Sequence, residues 1–131
     1  MLALPLVSCS GGNGGRDTSS PSGTVSAAGY KTISAAQAKA LMDGPEKPFI
    51  LDVRTKEEYD SGHIAKAVLI PYDDIEKSAQ SLPADKDALI LVYCRSGRRS
   101  AIAGGTLASL GYTRVYDFGG VIDWEYGLVT D

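Results

Sequence analysis

The 131-residue sequence has few of the residues that build metal centres and disulfide frameworks, since it holds two cysteines, Cys9 and Cys94, and one histidine, His63. A structural zinc site or a disulfide framework needs more such residues than these. The sequence lacks the run of about 18 apolar residues that a membrane-spanning helix requires. It also lacks a basic excess, because its net charge is −3, which argues against a general nucleic-acid-binding protein. We therefore expect no metal, no cofactor and no nucleic-acid partner.

The remaining composition is that of one ordinary globular domain, with 44% hydrophobic and 22% charged residues. Residues 1–9 differ, because an apolar stretch leads into Leu6-Val-Ser-Cys9. This segment resembles the lipobox of bacterial lipoproteins, in which the cysteine is acylated after the signal peptide is removed. The resemblance implies lipidation of Cys9 and a membrane-anchored protein outside the cytoplasm. The alternative is a cysteine without function in the tail of a cytoplasmic protein.

Residues 10–29 have the composition of a linker, with six glycines and five serines among twenty residues. Such a run buries too little apolar surface to offset the entropy lost on ordering, so we expect it to be flexible. A flexible chain of this length spans roughly 25 Å between its ends. The sequence thus predicts a tether between an anchored cysteine and a folded domain.

Residues 30–131 alternate between helix and strand patterns. Capping boxes at Ser34–Gln37 and Thr55–Glu58 each predict the start of a helix, and we expect these helices to end near Gly44 and at Gly62. Residues 88–93 show no polar alternation, which is typical of a parallel strand covered on both faces. The full pattern predicts strands over 48–53, 67–70, 88–93 and 114–118, helices over 71–82 and 98–110, and a last helical turn over 121–126. We therefore expect an α/β domain with a central, mainly parallel sheet.

Cys94 ends the most apolar predicted strand, and Cys94-Arg-Ser-Gly-Arg-Arg-Ser100 leads from it into a helix. Ligands of open parallel sheets bind beyond the carboxyl ends of the strands. A loop containing Gly97 can turn its N–H groups toward one point, and the following helix adds the positive end of its dipole. Arg95, Arg98 and Arg99 add formal charge, so the surroundings favour the nucleophilic thiolate of Cys94. The alternative is a buried, inert thiol beside solvated arginines.

These residues resemble a known family, because the loop over residues 94–100 is similar to the active-site loop of rhodanese-family sulfurtransferases. Residues 51–64 resemble the first signature of that family, and Ile70-Pro71 follows it. Gly111-Tyr112 and residues 119–124 resemble the C-terminal end of the family. The resemblance covers nearly all of residues 30–131. It implies a single three-layer domain with a five-stranded, mainly parallel sheet flanked by helices, and we expect a monomer.

The resemblance also implies sulfur transfer through a persulfide. The Cys94 thiolate attacks the outer sulfur of an anionic donor such as thiosulfate, sulfite leaves, and a thiophilic acceptor removes the added sulfur. Arg95 and Arg98 are then the side chains expected to contact the donor, whereas Arg99 either joins them or turns back to brace the loop. The donor-binding cradle carried over from the family comprises Arg95, Ser96, Gly97, Arg98 and Arg99.

Arg54 has two alternative roles. It lies two residues after Asp52 at the end of a predicted strand, so both side chains share a face. Arg54 either contacts the donor, in which case it joins the binding residues, or forms a structural salt bridge with Asp52 or Glu58. We expect His63 and Trp124 to be structural.

Two other functions compete with sulfur transfer. Cysteine-based phosphatases place five residues between cysteine and arginine, whereas four separate Cys94 from Arg99. The shorter loop forms a tighter cradle, which disfavours a phosphoryl group. The alternative that stays open is a module that senses sulfide or redox state, or binds a partner, without significant turnover.

Overall fold

The computed structural model describes residues 24–25 and 29–130, so Cys9, the predicted lipobox and most of the predicted linker lie outside the described residues. The described ranges form one six-stranded sheet in the order β1-β2-β6-β5-β3-β4. Strands β2 to β6 run parallel to their neighbours, and the short β1 pairs antiparallel with β2 at one edge. The strands are β1 (Thr24–Val25), β2 (Lys31–Thr32), β3 (Phe49–Asp52), β4 (Val68–Leu69), β5 (Ile90–Cys94) and β6 (Val115–Gly120). The predicted five-stranded parallel sheet is confirmed. Strand β1 is an addition that lies within the predicted flexible linker, where Thr24–Val25 pair with β2.

Both predicted capping boxes form. The Ser34 hydroxyl accepts a hydrogen bond from the Gln37 N–H, and the Gln37 side chain accepts one from the Ser34 N–H. Thr55 and Glu58 make the same reciprocal pair. The helices are α1 (Ala35–Asp43), α2 (Lys56–Ser61) and α3 (Arg98–Ser109), and short 3₁₀ turns cover Ala79–Ser81 and Val121–Asp123. Within the described ranges, none of the helices has the length and apolar character needed to cross a membrane.

The sheet separates two hydrophobic clusters and thereby makes three layers. Strand β5 is buried along its whole length and contributes to both. Val92 and Cys94 pack on the α3 side, whereas Leu91 and Tyr93 pack on the α1 side. The prediction that both faces of this strand are covered is confirmed, and Cys94 lies on the face that α3 covers.

The helix predicted over 71–82 is wrong. The segment closes in short turns, in which the Asp74 N–H bonds to the Pro71 carbonyl and the Ser78 N–H to the carbonyls of Asp74 and Ile75. Only Ile75 and Leu82 are buried in this stretch. No large apolar side chain between them holds a middle turn on the core, and the serines there favour local turns over a continuous helix.

Candidate active site

Cys94 is the last residue of β5 and 1% exposed. The Gly97 N–H points back at its Sγ, with nitrogen and sulfur 2.9 Å apart. Gly97 has a φ of 112°, a left-handed conformation that a side chain disfavours and glycine permits. Residues 95–97 therefore fold around the sulfur, and α3 begins immediately afterwards.

The end of β6 and the 3₁₀ turn that follows it contact this loop. The Ile122 N–H donates to the Arg95 carbonyl at 3.3 Å. Gly120 lies against the same peptide group, and a Cβ at this position would overlap the Arg95 carbonyl. The loop therefore keeps its shape only because Gly120 carries no side chain. The resemblance covered Gly120, but nothing in the local sequence pattern ties it to a loop 25 residues earlier.

A buried polar chain lies beneath the sulfur. Ser100 is fully buried, and its Oγ lies 3.6 Å from Cys94 Sγ and 2.7 Å from Asp117 Oδ1. Burial raises the pKa of Asp117, and hydrogen bonds from the Ser100 hydroxyl and the Gly119 N–H offset this in part. Sequence reasoning missed both residues, although a lone carboxylate within the apolar strand 114–118 was a usable signal.

The three arginines of the loop divide into two groups. Arg95 and Arg98 are exposed, as is Ser96 between them. Arg99 instead forms a two-point ion pair with Glu58, with nitrogen–oxygen distances of 2.8 and 3.0 Å. Hydrogen bonding to Arg99, partly opposed by burial, lowers the pKa of Glu58 to about 2. The bracing alternative for Arg99 is thus the observed one, and two guanidinium groups stay available to an anion.

Arg54 is turned into the protein. It is 4% exposed, pairs with Asp52 through two nitrogens at 2.7 to 3.1 Å, and donates to the Gly62 carbonyl at 2.7 Å. Tyr93 donates its hydroxyl to Asp52 at 2.7 Å, and burial together with Asp52 raises the pKa of Tyr93. The structure shows the salt-bridge alternative, so the prediction that Arg54 contacts the donor is wrong.

His63 and Trp124 lie in structural surroundings. The His63 ring stacks on Tyr59 with centroids 3.7 Å apart, and its Nδ1 lies 2.9 Å from the Tyr59 carbonyl. Trp124 packs against Phe118 and donates to the Gly127 carbonyl. Across residues 29–130, no group of three or more His, Cys, Asp or Glu side chains is arranged to hold a metal.

This arrangement suits nucleophilic chemistry on an anion. The sulfur of Cys94 accepts a hydrogen bond from the Gly97 N–H at the start of a twelve-residue helix, and the same loop exposes the cations Arg95 and Arg98. Each of these stabilises negative charge at the mouth of the loop.

Comparison with known proteins agrees with this geometry. The family model for the rhodanese-like domain matches residues 34–126. A rhodanese-like domain protein from Staphylococcus aureus superposes with a TM-score of 0.70 at 32% identity, over 77% of this chain and 98% of that one.

Two curated relatives carry names from sulfur chemistry. The thiosulfate sulfurtransferase PspE of Escherichia coli K12 is 36% identical over 56% of this chain and 70% of its own. The putative sulfur carrier protein YrkF of Bacillus subtilis is 39% identical over 70% of this chain. The chain spans about half of that relative's length, 49%.

Proposed function

The chain belongs to the rhodanese-like domain family, and we propose that it is a sulfurtransferase that moves a sulfane sulfur from a small anionic donor to a thiophilic acceptor through a persulfide on Cys94. One observation carries this proposal. The Cys94 sulfur lies 2.9 Å from the Gly97 nitrogen at the base of a loop whose Arg95 and Arg98 are exposed. One short loop thus carries the nucleophile, an N–H donor to its sulfur and two exposed cations.

The first half-reaction takes the sulfur. The Cys94 thiolate attacks the outer sulfur of a thiosulfate-like donor, forming a sulfur–sulfur bond at Sγ. The bond between the outer and central sulfur atoms of the donor breaks, and its electron pair leaves with sulfite. Negative charge then rests on the terminal sulfur of the persulfide, where loop N–H groups and the two arginines stabilise it.

The second half-reaction returns the enzyme to its starting form. A thiophilic acceptor such as cyanide attacks the terminal sulfur, and the electron pair of the sulfur–sulfur bond returns to Cys94 as a thiolate. Sulfite leaves before the acceptor reacts, and the persulfide enzyme links the two half-reactions, so we expect ping-pong kinetics. No step requires a general acid in the loop, because thiolate both attacks and leaves.

Steady-state transfer from thiosulfate to cyanide tests the proposal. The wild type should turn over, and Cys94→Ser should not, because a serine oxygen is close in size but does not carry persulfide sulfur. Cys9→Ala serves as the control for loss of a thiol and should keep wild-type turnover. Absence of turnover in a folded wild type would instead favour a sensing or partner-binding module.

We also propose that Cys9 is acylated and that residues 10–23 tether the domain to a membrane outside the cytoplasm, since Thr24–Val25 pair with β2 in the sheet. The Leu6-Val-Ser-Cys9 sequence and the Gly- and Ser-rich composition of the tether support this. Membrane fractionation in a bacterium that processes lipoproteins tests it, with the protein expressed from the native start codon of its gene. The Cys9→Ala protein should be lost from the membrane fraction, whereas the Cys94→Ala protein should remain in it. A soluble wild-type protein that retains residues 1–8 would contradict the anchor.

A further inference from the structure

The proposed chemistry does not use the buried polar chain beneath Cys94. From Sγ this chain runs 3.6 Å to Ser100 Oγ and then 2.7 Å to Asp117 Oδ1. Ser100 is fully buried and Asp117 is 5% exposed, so solvent has little access to either group. Ionising a carboxyl group in such a buried place is costly, and buried titratable groups of this kind are concentrated at functional sites.

The hydrogen-bond directions follow from the single proton of the Ser100 hydroxyl. Its shortest contact is to Asp117, so it donates there, and its lone pair accepts the S–H of Cys94. This arrangement satisfies the thiol form. If Cys94 alone lost its proton, the lone pairs of sulfur and Ser100 oxygen would face each other, and a thiolate would lie close to a buried carboxylate.

We propose that Ser100 and Asp117 form a proton relay, in which Asp117 takes up the proton equivalent that Cys94 releases when it becomes a thiolate. The S–H proton passes to Ser100 Oγ while the hydroxyl proton of Ser100 passes to Asp117 Oδ1. Afterwards Ser100 donates to the thiolate and the protonated Asp117 donates to Ser100. Two O–H bonds form, one S–H and one O–H bond break, and the net charge is unchanged.

The charges around the two ends favour this transfer. The residues opposite Asp117 on β5 and β2 are Val92 and Thr32, neither of which titrates. Asp117 accepts hydrogen bonds from the Ser100 hydroxyl of α3 and from the Gly119 N–H of β6. Burial raises the pKa of Asp117, and no charged side chain of the described residues contributes to that pKa. Cys94, by contrast, interacts electrostatically with the Arg99 guanidinium. A positive charge thus acts at the sulfur end of the relay, whereas the Asp117 end has only the Ser100 hydroxyl and the Gly119 N–H.

Through turnover, the relay would keep the proton on Asp117 while charge moves from thiolate to persulfide and back. The anionic donor would then never meet a second negative charge behind the sulfur. This role rests on the proposed sulfur transfer. The relay itself does not, because it belongs to the free thiol enzyme.

Five proteins test the relay, all in a Cys9→Ala background. They are the parent, in which Cys94 is the single thiol, Asp117→Asn, Ser100→Ala, Cys94→Ser, which has no thiol, and the control Asp87→Asn. The control removes a carboxylate that accepts from the Thr113 hydroxyl at the same 2.7 Å distance, but on the exposed surface before β5. The readouts are the iodoacetamide alkylation rate of Cys94 against pH and the infrared carbonyl band of a protonated carboxylic acid, assigned with ¹³C-labelled aspartate.

The relay predicts two coupled steps in the alkylation profile of the parent and of Asp87→Asn, and one step in Asp117→Asn. It also predicts an acid band at neutral pH that Asp117→Asn loses. Cys94→Ser should lose the band as well, because a serine hydroxyl does not release its proton. Ser100→Ala should uncouple the two steps.

Identical profiles for the parent and Asp117→Asn would overturn the relay. So would a parent without the acid band, or a band that persists unchanged in Cys94→Ser, since Asp117 would then be protonated by burial alone. The infrared comparison of the parent with Cys94→Ser decides the matter even if Asp117→Asn fails to fold. No sulfur donor is present, so failure of sulfur transfer and failure of the relay remain separate results.

Discussion

Arg99 and Glu58 face each other across 41 residues of sequence and form a two-point ion pair at 2.8 and 3.0 Å. Glu58 also closes the capping box of α2 by accepting from the Thr55 N–H at 3.0 Å. One carboxylate therefore fixes both the start of α2 and the loop that carries Cys94. Because Arg99 pairs with Glu58, only Arg95 and Arg98 of the three loop arginines are exposed to solvent.

Glu58→Gln tests the brace, because glutamine keeps the capping box but removes the charge. We expect a loss of about 1 kcal/mol in the free energy of unfolding, since the pair is only partly buried. Urea unfolding gives this quantity, and sulfur transfer should fall with it. Glu57→Gln, one residue earlier on the exposed surface, is the matched control and should change neither. Equal effects of the two substitutions would show that Arg99 needs no partner.

The same pair predicts a pH dependence of stability. The pKa of Glu58 is about 2 in the folded protein against an ordinary value of 4.5. The lowered value means that the ionised carboxylate stabilises the fold above about pH 4.5, and that this contribution is lost as the pH falls toward 2. The difference in unfolding free energy between wild type and Glu58→Gln should therefore shrink across that window. A difference that stays constant down to pH 2 would contradict the assignment.

Local sequence signals predicted the scaffold well. Both capping boxes act over three residues, and the apolar run 88–93 needed only its own composition to indicate a central parallel strand. The position of Cys94 at the end of that strand followed from the same information. These features depend on neighbouring residues, and the structure places them as expected.

Long-range pairing was not accessible in this way. Nothing in the spacing of Ser100 and Asp117 indicates a contact across 17 residues, and Arg54 offered two partners that sequence alone did not separate. The helix predicted over 71–82 failed because Pro71 and the apolar Ile75 and Leu82 fit a helix as well as a series of turns. Whether this segment forms a helix or a series of turns depends on how the rest of the core packs against those two side chains.

Gly120→Ala should damage the loop. The backbone there is extended, with φ −144°, so alanine is not strained by conformation. Its Cβ would instead overlap the Arg95 carbonyl. We expect the free energy of unfolding to fall by about 1–3 kcal/mol and sulfur transfer to decrease.

Gly44→Ala is the control for that substitution, since a Cβ there would meet the nearest carbonyls at an ordinary 3.5 Å. Thermal unfolding and thiosulfate turnover measure both effects. A Gly120→Ala protein as active as Gly44→Ala would show that the contact between β6 and the loop does not shape the site.

The exposed arginines should govern use of the donor. Arg95→Ala and Arg98→Ala should each lower kcat/KM for thiosulfate roughly tenfold, because each removes a charge-assisted contact to an anion. The KM for the acceptor should change less, and added salt should weaken donor use by the wild type.

Lys77→Ala removes an equally charged side chain that is 81% exposed and outside the loop, and should leave kcat/KM unchanged. If both arginine variants matched this control, loop N–H groups alone would bind the donor.

Intact mass spectrometry after addition of thiosulfate, in the absence of an acceptor, tests the central claim most directly. The account predicts a gain of one sulfur atom, mapped by peptide analysis to Cys94, and its loss when cyanide is added. Cys94→Ser should gain nothing. Turnover without any sulfur on Cys94, or added sulfur located only on Cys9, would contradict a persulfide at this site.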